Sequence, residues 1–327
     1  EDTDNSGPNG QTVYEQTTHV GSFVIEDQED VNYIDHYIVI TGDLTVKTET
    51  LVTFQLPLLK RIHGRLLLTG NNEVLEHFFM PALTTVGMEV NIWNNRSLKH
   101  LDGLSALQSV GENLNISHHE NLTSIDGLAL LETIGGDFNI LHNESLSFME
   151  DFNQLISIGG NFNVMDNDSL TIIRGYENLL TVGEDFIIVT GDELLSVSGF
   201  TSLSSIGGSL RIALNAVLNN IEGMNALEAV GGSFLIVDNP ELSTCIALTL
   251  RDAVGENSVV EEIVISGNLP GCDGEEPVPG DGLLAGSACE EDIQCAAPGT
   301  PLCLREYKPV ADLIFPDADP ASAAHFA

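Results

Sequence analysis

Basic residues are scarce in this chain. Its 327 residues hold 11 Lys and Arg against 49 Asp and Glu, a formal net charge of −38. A surface of that sign repels phosphate backbones and anionic headgroups, so nucleic acid is excluded as a natural partner. It attracts cations, so loosely bound Ca2+ is expected without a dedicated site, and the charge reads first as a solubility adaptation to a salty or calcium-rich exterior. Long apolar runs are missing: none reaches 18 residues, so no transmembrane segment is expected. A signal peptide is missing too, and the acidic opening EDTDNSGPNGQT reads as a mature terminus left by processing. Aromatic residues make up only 6% of the chain, with a single Trp, while Gly numbers 31. That balance favours many short strands separated by turns over long helices.

Catalytic signatures are also lacking. The chain has no G-x-S-x-G, H-E-x-x-H, P-loop, EF-hand or calcium-binding nonapeptide pattern. Some parallel β-helices are polysaccharide lyases or hydrolases with paired carboxylates in a groove. Here the acids are scattered and bases to hold an acidic sugar are few, so a non-catalytic chain is expected and a polysaccharide-active enzyme is the distant alternative. The five cysteines include no C-x-x-C pair, which argues against zinc. Cys245 and Cys272 flank an atypical last coil and are expected to pair. Cys289, Cys295 and Cys303 fall in a stretch rich in Gly, Pro and acid that reads as a linker plus a small stapled module. An odd count leaves one thiol free, or bound to another chain, or a different pairing.

What is present is a repeat. Gly87, Gly111, Gly135, Gly159, Gly183, Gly207 and Gly231 follow one another at steps of 24 residues, and one step back lies His63 in a coil of the same frame. The unit reads G-[GE]-x-[FL]-x-[IV]-x-x-N-x-x-L-x-x-I-x-G-[LF]-x-x-L-x-x-[VI]. Apolar residues three and five places after each glycine, such as Phe138 and Ile140 or Phe162 and Val164, alternate with period two. This predicts a strand with one face buried. Later apolar positions come three apart and predict short extended pieces joined by corners. Stacked coils would lie ~4.8 Å apart and bury each apolar column against its neighbours. Asn95, Asn143, Asn167, Asn215 and Asn239 share one register, continued by Asn268, and predict an internal amide ladder. FVIEDQEDVNYIDHYIVI reads as an N-terminal cap, LTVKTETLVTFQLPLLKRI as a shortened coil, and PELSTCIALTLRDAVG as the one segment with convincing helical spacing. The expected organisation is a polar segment over 1–19, a β-solenoid with caps over 20–272, and an acidic linker and tail over 273–327.

The register also groups surface residues. Positions four after the glycine (Asn91, Asn115, Asn139, Asn163) and six after it (Trp93, Ser117, Leu141, Met165) point out of the strand. Glu89, Asn113, Asp137, Asn161 and Asp185, two after it, are expected on the same face. From this face Asn91, Trp93, Asn115, Asn139, Leu141, Asn163 and Met165 are the candidate binding residues, with Trp93 as the anchor for a sugar ring or a protein. The competing reading is that another segment covers the apolar column, or that these are tolerated strand formers. His118, His142 and Asp166, seven after the glycine with His119 beside them, form a candidate metal column, against the alternative of a solvated row of turn residues. Asn95, Asn115, Asn121, Asn143 and Asn167 stand in N-x-[ST] sequons, several of them in the ladder register where Asn already has a structural use.

GGSFLIVDNPELSTC and GLSALQSVGENLNISHHENLTSIDGLALLETIGGDFNI resemble the receptor L-domain family. Its members are the leucine-rich, right-handed β-helical ligand-binding domains of insulin-type and epidermal-growth-factor-type receptors, with similar repeats in fungal cell-wall glycoproteins and bacterial surface proteins. The resemblance covers roughly residues 20 to 272. It implies a right-handed parallel β-solenoid, placed outside the cell or on its surface, whose sheet face or edge contacts a partner. Growth-factor binding is not carried over: the coils are more regular, and no kinase or long furin-like region follows. The expected function is recognition or adhesion toward a protein or glycan, and the alternative is self-association into a filament, sheath or envelope layer. Ordinary 24-residue leucine-rich repeats are the rival for the fold.

Overall fold

The computed structural model describes residues 17–69 and 73–270. The chain is an all-β, right-handed parallel solenoid. An 11-stranded sheet and a 10-stranded sheet run its length, every pairing in them parallel, with a 3-stranded and a 2-stranded sheet on the remaining sides. Successive coils pair in register at the predicted step of 24: Phe138–Leu141 lies between Leu114–Ser117 and Phe162–Met165. The first two coils are shorter, pairing Thr18–His19 with Val39–Ile40 at a step of 21 and Val39–Ile40 with Arg61–Ile62 at a step of 22.

Each coil begins with a two-residue strand of the 10-stranded sheet, as at Thr133–Ile134, and turns at the repeat glycine. A Cβ on Gly135 would collide with the carbonyl oxygen of Gly111, and the same holds from Gly111 down to Gly231. The corners are stacked too tightly for any side chain. A strand of the 11-stranded sheet follows, four residues long from Val90–Trp93 to Phe234–Val237, its alternate residues buried. The pieces read as short and extended are two-residue strands in some coils. In two others they are single 3-10 turns, Asp102–Leu104 and Asp126–Leu128.

One apolar core runs through the coils. It carries two stacks of rings, Phe138, Phe162 and Phe186 in one and Phe152, Tyr176 and Phe200 in the other. The Tyr176 ring lies 5.1 Å from Phe152 and 4.8 Å from Phe200, nearly parallel to both. Helices close the ends. Helix α1, Gln28–Ile34, buries Val31 and Ile34 and starts at a capping box in which Asp27 and Asp30 exchange hydrogen bonds. Helix α2, Thr244–Val254, has the predicted place, with Ser243 as N-cap. The expected polar segment over 1–19 falls almost wholly outside the described residues. The linker, the tail, Cys272, Cys289, Cys295 and Cys303 lie outside them entirely.

Candidate functional site

Each coil spends most of its polar side chains on its own backbone, and what remains open forms the site. From Asn113 to Asp185 the column two places after the glycine belongs to the first group. Asn113 Oδ1 accepts the backbone N–H of Asp137 at 2.8 Å, Asp137 Oδ1 that of Asn161 at 2.8 Å, and Asn161 Oδ1 that of Asp185 at 2.8 Å. These side chains serve as a corner ladder.

The buried amide column is a second internal ladder, as the register predicts. Asn143 Nδ2 donates to Ile116 O at 3.0 Å and to Asn167 Oδ1 at 3.1 Å, and Asn215 repeats the pattern toward Asn239 and Asn239 toward Asn268. His119 takes the amide's place in one coil, so it is a core ladder residue and does not stand beside the surface histidines. Its Nε2 lies 3.0 Å from Ile92 O, and its Nδ1 accepts the Asn95 backbone N–H at 3.3 Å. An imidazole in that pose has no donor for the next rung, and Asn143 Oδ1 is buried without a partner among the described residues. Burial lowers the His119 pKa, and its contacts with Asn95 and Ile92 oppose that shift in part.

The candidate metal column marks a backbone corner. Asn94, His118, His142, Asp166, Thr190, Leu214 and Asp238 all have φ between 52° and 62°, the left-handed region in which Asn, Asp and His are enriched. His118 and His142 do stack, with ring centroids 4.7 Å apart, and His142 Nδ1 lies 3.5 Å from Asp166 Oδ2. Among the described residues no group of three or more His, Cys, Asp or Glu is disposed to hold a metal ion.

The open face is formed by the outward residues of four consecutive strands: Val90–Trp93, Leu114–Ser117, Phe138–Leu141 and Phe162–Met165. It carries a third, half-buried amide ladder. Asn115 Nδ2 donates to Glu89 Oε1 at 2.7 Å, Asn139 Nδ2 to Asn115 Oδ1 at 2.6 Å, and Asn163 Nδ2 to Asn139 Oδ1 at 2.7 Å. The ladder stops where Ile187 replaces the next Asn. Beside it run Trp93, exposed at 41%, buried Ser117, and half-buried Leu141 and Met165. Trp93 packs edge-on against His118 at 6.1 Å. Burial first, and the nearby His142 second, lower the His118 pKa and favour its neutral form. All seven candidate binding residues are thus gathered on one face. In later coils the outward positions Val189, Arg211, Ala213, Leu235 and Val237 are buried, so the apolar column does not extend the open patch.

Burial also sorts the sequons. Asn95, Asn143 and Asn167 are buried in the internal ladder, which withdraws them as glycosylation sites of the folded chain, and Asn115 is engaged on the face. Asn121 is exposed, donating only to Arg96 O at 2.8 Å. Cys245 lies on helix α2 and is disulfide-bonded. No helix among the described residues is long and apolar enough to cross a membrane. No family model, curated protein or solved structure matches this chain.

Proposed function

We propose that the chain is a non-catalytic recognition or adhesion module, akin to the receptor L-domains, that works outside the cell or on its surface. It presents the open face of the long sheet to a protein or glycan partner. The observation that carries this reading is the contrast between this face and the rest of the solenoid. In the inner and corner ladders the amides reach the backbone, whereas here the outward Asn pair only with one another and with Glu89, and four coils leave a half-buried row of Asn, Leu and Met beside the chain's only Trp. On this reading Cys245 pairs with Cys272 to pin the last coil, and Asn121 carries any N-linked sugar.

A second reading, self-assembly into a filament or layer, draws on the edge strands Phe23–Ile25 and Ile263–Ser266 at the two ends of the long sheet. One experiment separates the two. Wild type and Leu141→Arg are applied to immobilised glycans and extracellular proteins, and the size of each is followed by light scattering with and without calcium under non-reducing conditions. Recognition requires a monodisperse chain and at least one ligand retained by wild type and lost by the variant. Reversible growth into large particles without such a ligand would replace recognition with assembly.

A further inference from the structure

None of the outward residues of these four strands is charged, although the chain carries a net charge of −38. Across four strands its outward residues are Asn, Ser, Leu, Met and Trp, and the acids Glu89, Asp137 and Asp166 stand at its margins. A primary amide offers two N–H donors and two acceptor lone pairs. In the ladder, Asn115 and Asn139 each use one donor and one lone pair on their neighbours. Each keeps one of both kinds for a ligand, and the set repeats at ~4.8 Å along the solenoid axis. A row of paired donors and acceptors suits hydroxyl groups, which also give and accept. It does not suit carboxylates or sulfates, which need a cation that this face lacks.

The margin supplies the rest. Trp93 stands at one end with 41% of its surface exposed. From it run His118, 6.1 Å away, then His142, 4.7 Å further on, then Asp166, 3.5 Å from His142. His118 Nδ1 is buried and has no hydrogen-bond partner among the described residues, so the ring faces a ligand with its other edge or not at all. These groups form a row beside the amide ladder, with the Trp93 ring at its end. A protein interface of ordinary size would need a larger apolar centre than Trp93, Leu141 and Met165 provide.

We propose that this face binds a neutral, hydroxyl-rich glycan laid across the strands along the solenoid axis. One sugar ring packs on Trp93, and the following units lie over Asn115, Asn139 and Asn163, flanked by His118 and His142. The proposal rests on the recognition reading above and narrows it to one ligand class.

Trp93 is the only tryptophan, so its fluorescence reports on this site alone. The full chain is titrated with cellohexaose, chitohexaose, laminarihexaose and mannohexaose, with polygalacturonate as the acidic comparison. A saturable change of emission with at least one neutral oligomer, and none with the acidic polymer, is expected. Calorimetry of Trp93→Ala should then show at least tenfold weaker binding, and Asn139→Ala several-fold weaker binding, with circular dichroism unchanged in both. Silence from all four neutral oligomers overturns the proposal, as does a Trp93→Ala chain that binds as wild type does. If the sugars fail while an immobilised protein is retained in a manner that needs Trp93 and Leu141, the glycan class falls and the recognition reading stands. If no ligand depends on either residue, both fall.

Discussion

Two buried side chains break the pattern around them. His119 fills an amide position without offering the amide's second donor, which strands Asn143 Oδ1. An Asn at this position would supply that donor, so His119→Asn should stabilise the fold at neutral pH by about 1 kcal/mol. The advantage should widen in acid. Burial holds the folded-state pKa of His119 below that of the unfolded chain, near 6.5. The unfolded state therefore binds more protons below that value, and the stability contributed by the neutral ring is lost as pH falls through the window beneath it. His118 shifts in the same direction and is common to both proteins, so it largely cancels in the comparison. Urea unfolding of both proteins between about pH 7.5 and pH 5 would read the difference, and a gap that does not grow on acidification would refute the ladder role of His119. The second is Tyr176, whose wholly buried hydroxyl has no partner among the described residues and whose pKa burial raises well above its usual value. Removing that oxygen while keeping the ring between Phe152 and Phe200 should stabilise, so Tyr176→Phe is expected to raise the unfolding free energy by about 1 kcal/mol.

Corners hold the coil together more than strands do, since many strands are only two residues long. The glycine column shows this most directly. Gly135→Ala would drive a Cβ into the carbonyl oxygen of Gly111, and the coils on either side leave no room to move. The expected cost is about 3 kcal/mol or more, beyond ordinary overpacking. A denaturant midpoint close to wild type would mean that the corners are looser than the geometry requires. The same corners explain what could be read in the sequence. Gly87 to Gly231 announce the coil length, Phe138 and Ile140 the buried strand face, and Asn143 and Asn167 the inner ladder, because each column admits one kind of residue. That Asn113 and Asp137 cap the backbone of the next coil is not legible in the sequence, because Asn and Asp suit an open surface and a backbone-capping corner equally well. Helix α1 escaped notice because it is short and mostly polar, although Asp27 and Asp30 in capping-box spacing mark its start. The burial of Val189, Ala213 and Val237 cannot be inferred from their strand, where they alternate outward as Leu141 and Met165 do.

The whole molecule is dominated by charge of one sign. Self-repulsion among 49 acids and few bases opposes the folded state and is screened by salt. The thermal midpoint should therefore rise by several degrees between about 0.01 M and 0.5 M NaCl, where the Debye length shrinks from ~30 Å to a few Å. Calcium chloride at equal ionic strength should do little more, because the described residues offer no cluster of ligands to single it out. A large, saturable calcium increment would reveal a dedicated site and overturn that expectation.

The corner glycines also make the length of this molecule a quantity that changes in whole steps. Excising residues 135–158 joins Ile134 to Gly159, with the columns on both sides unbroken, whereas removing a number of residues that is not a multiple of 24 throws the glycines, the amides and the core out of line. Each such step shortens the solenoid by one coil, ~4.8 Å, and leaves its two helical caps as they are. The chain thus behaves as a ruler marked in coils, whose reach is adjusted by copying or deleting one unit, with no redesign of the fold.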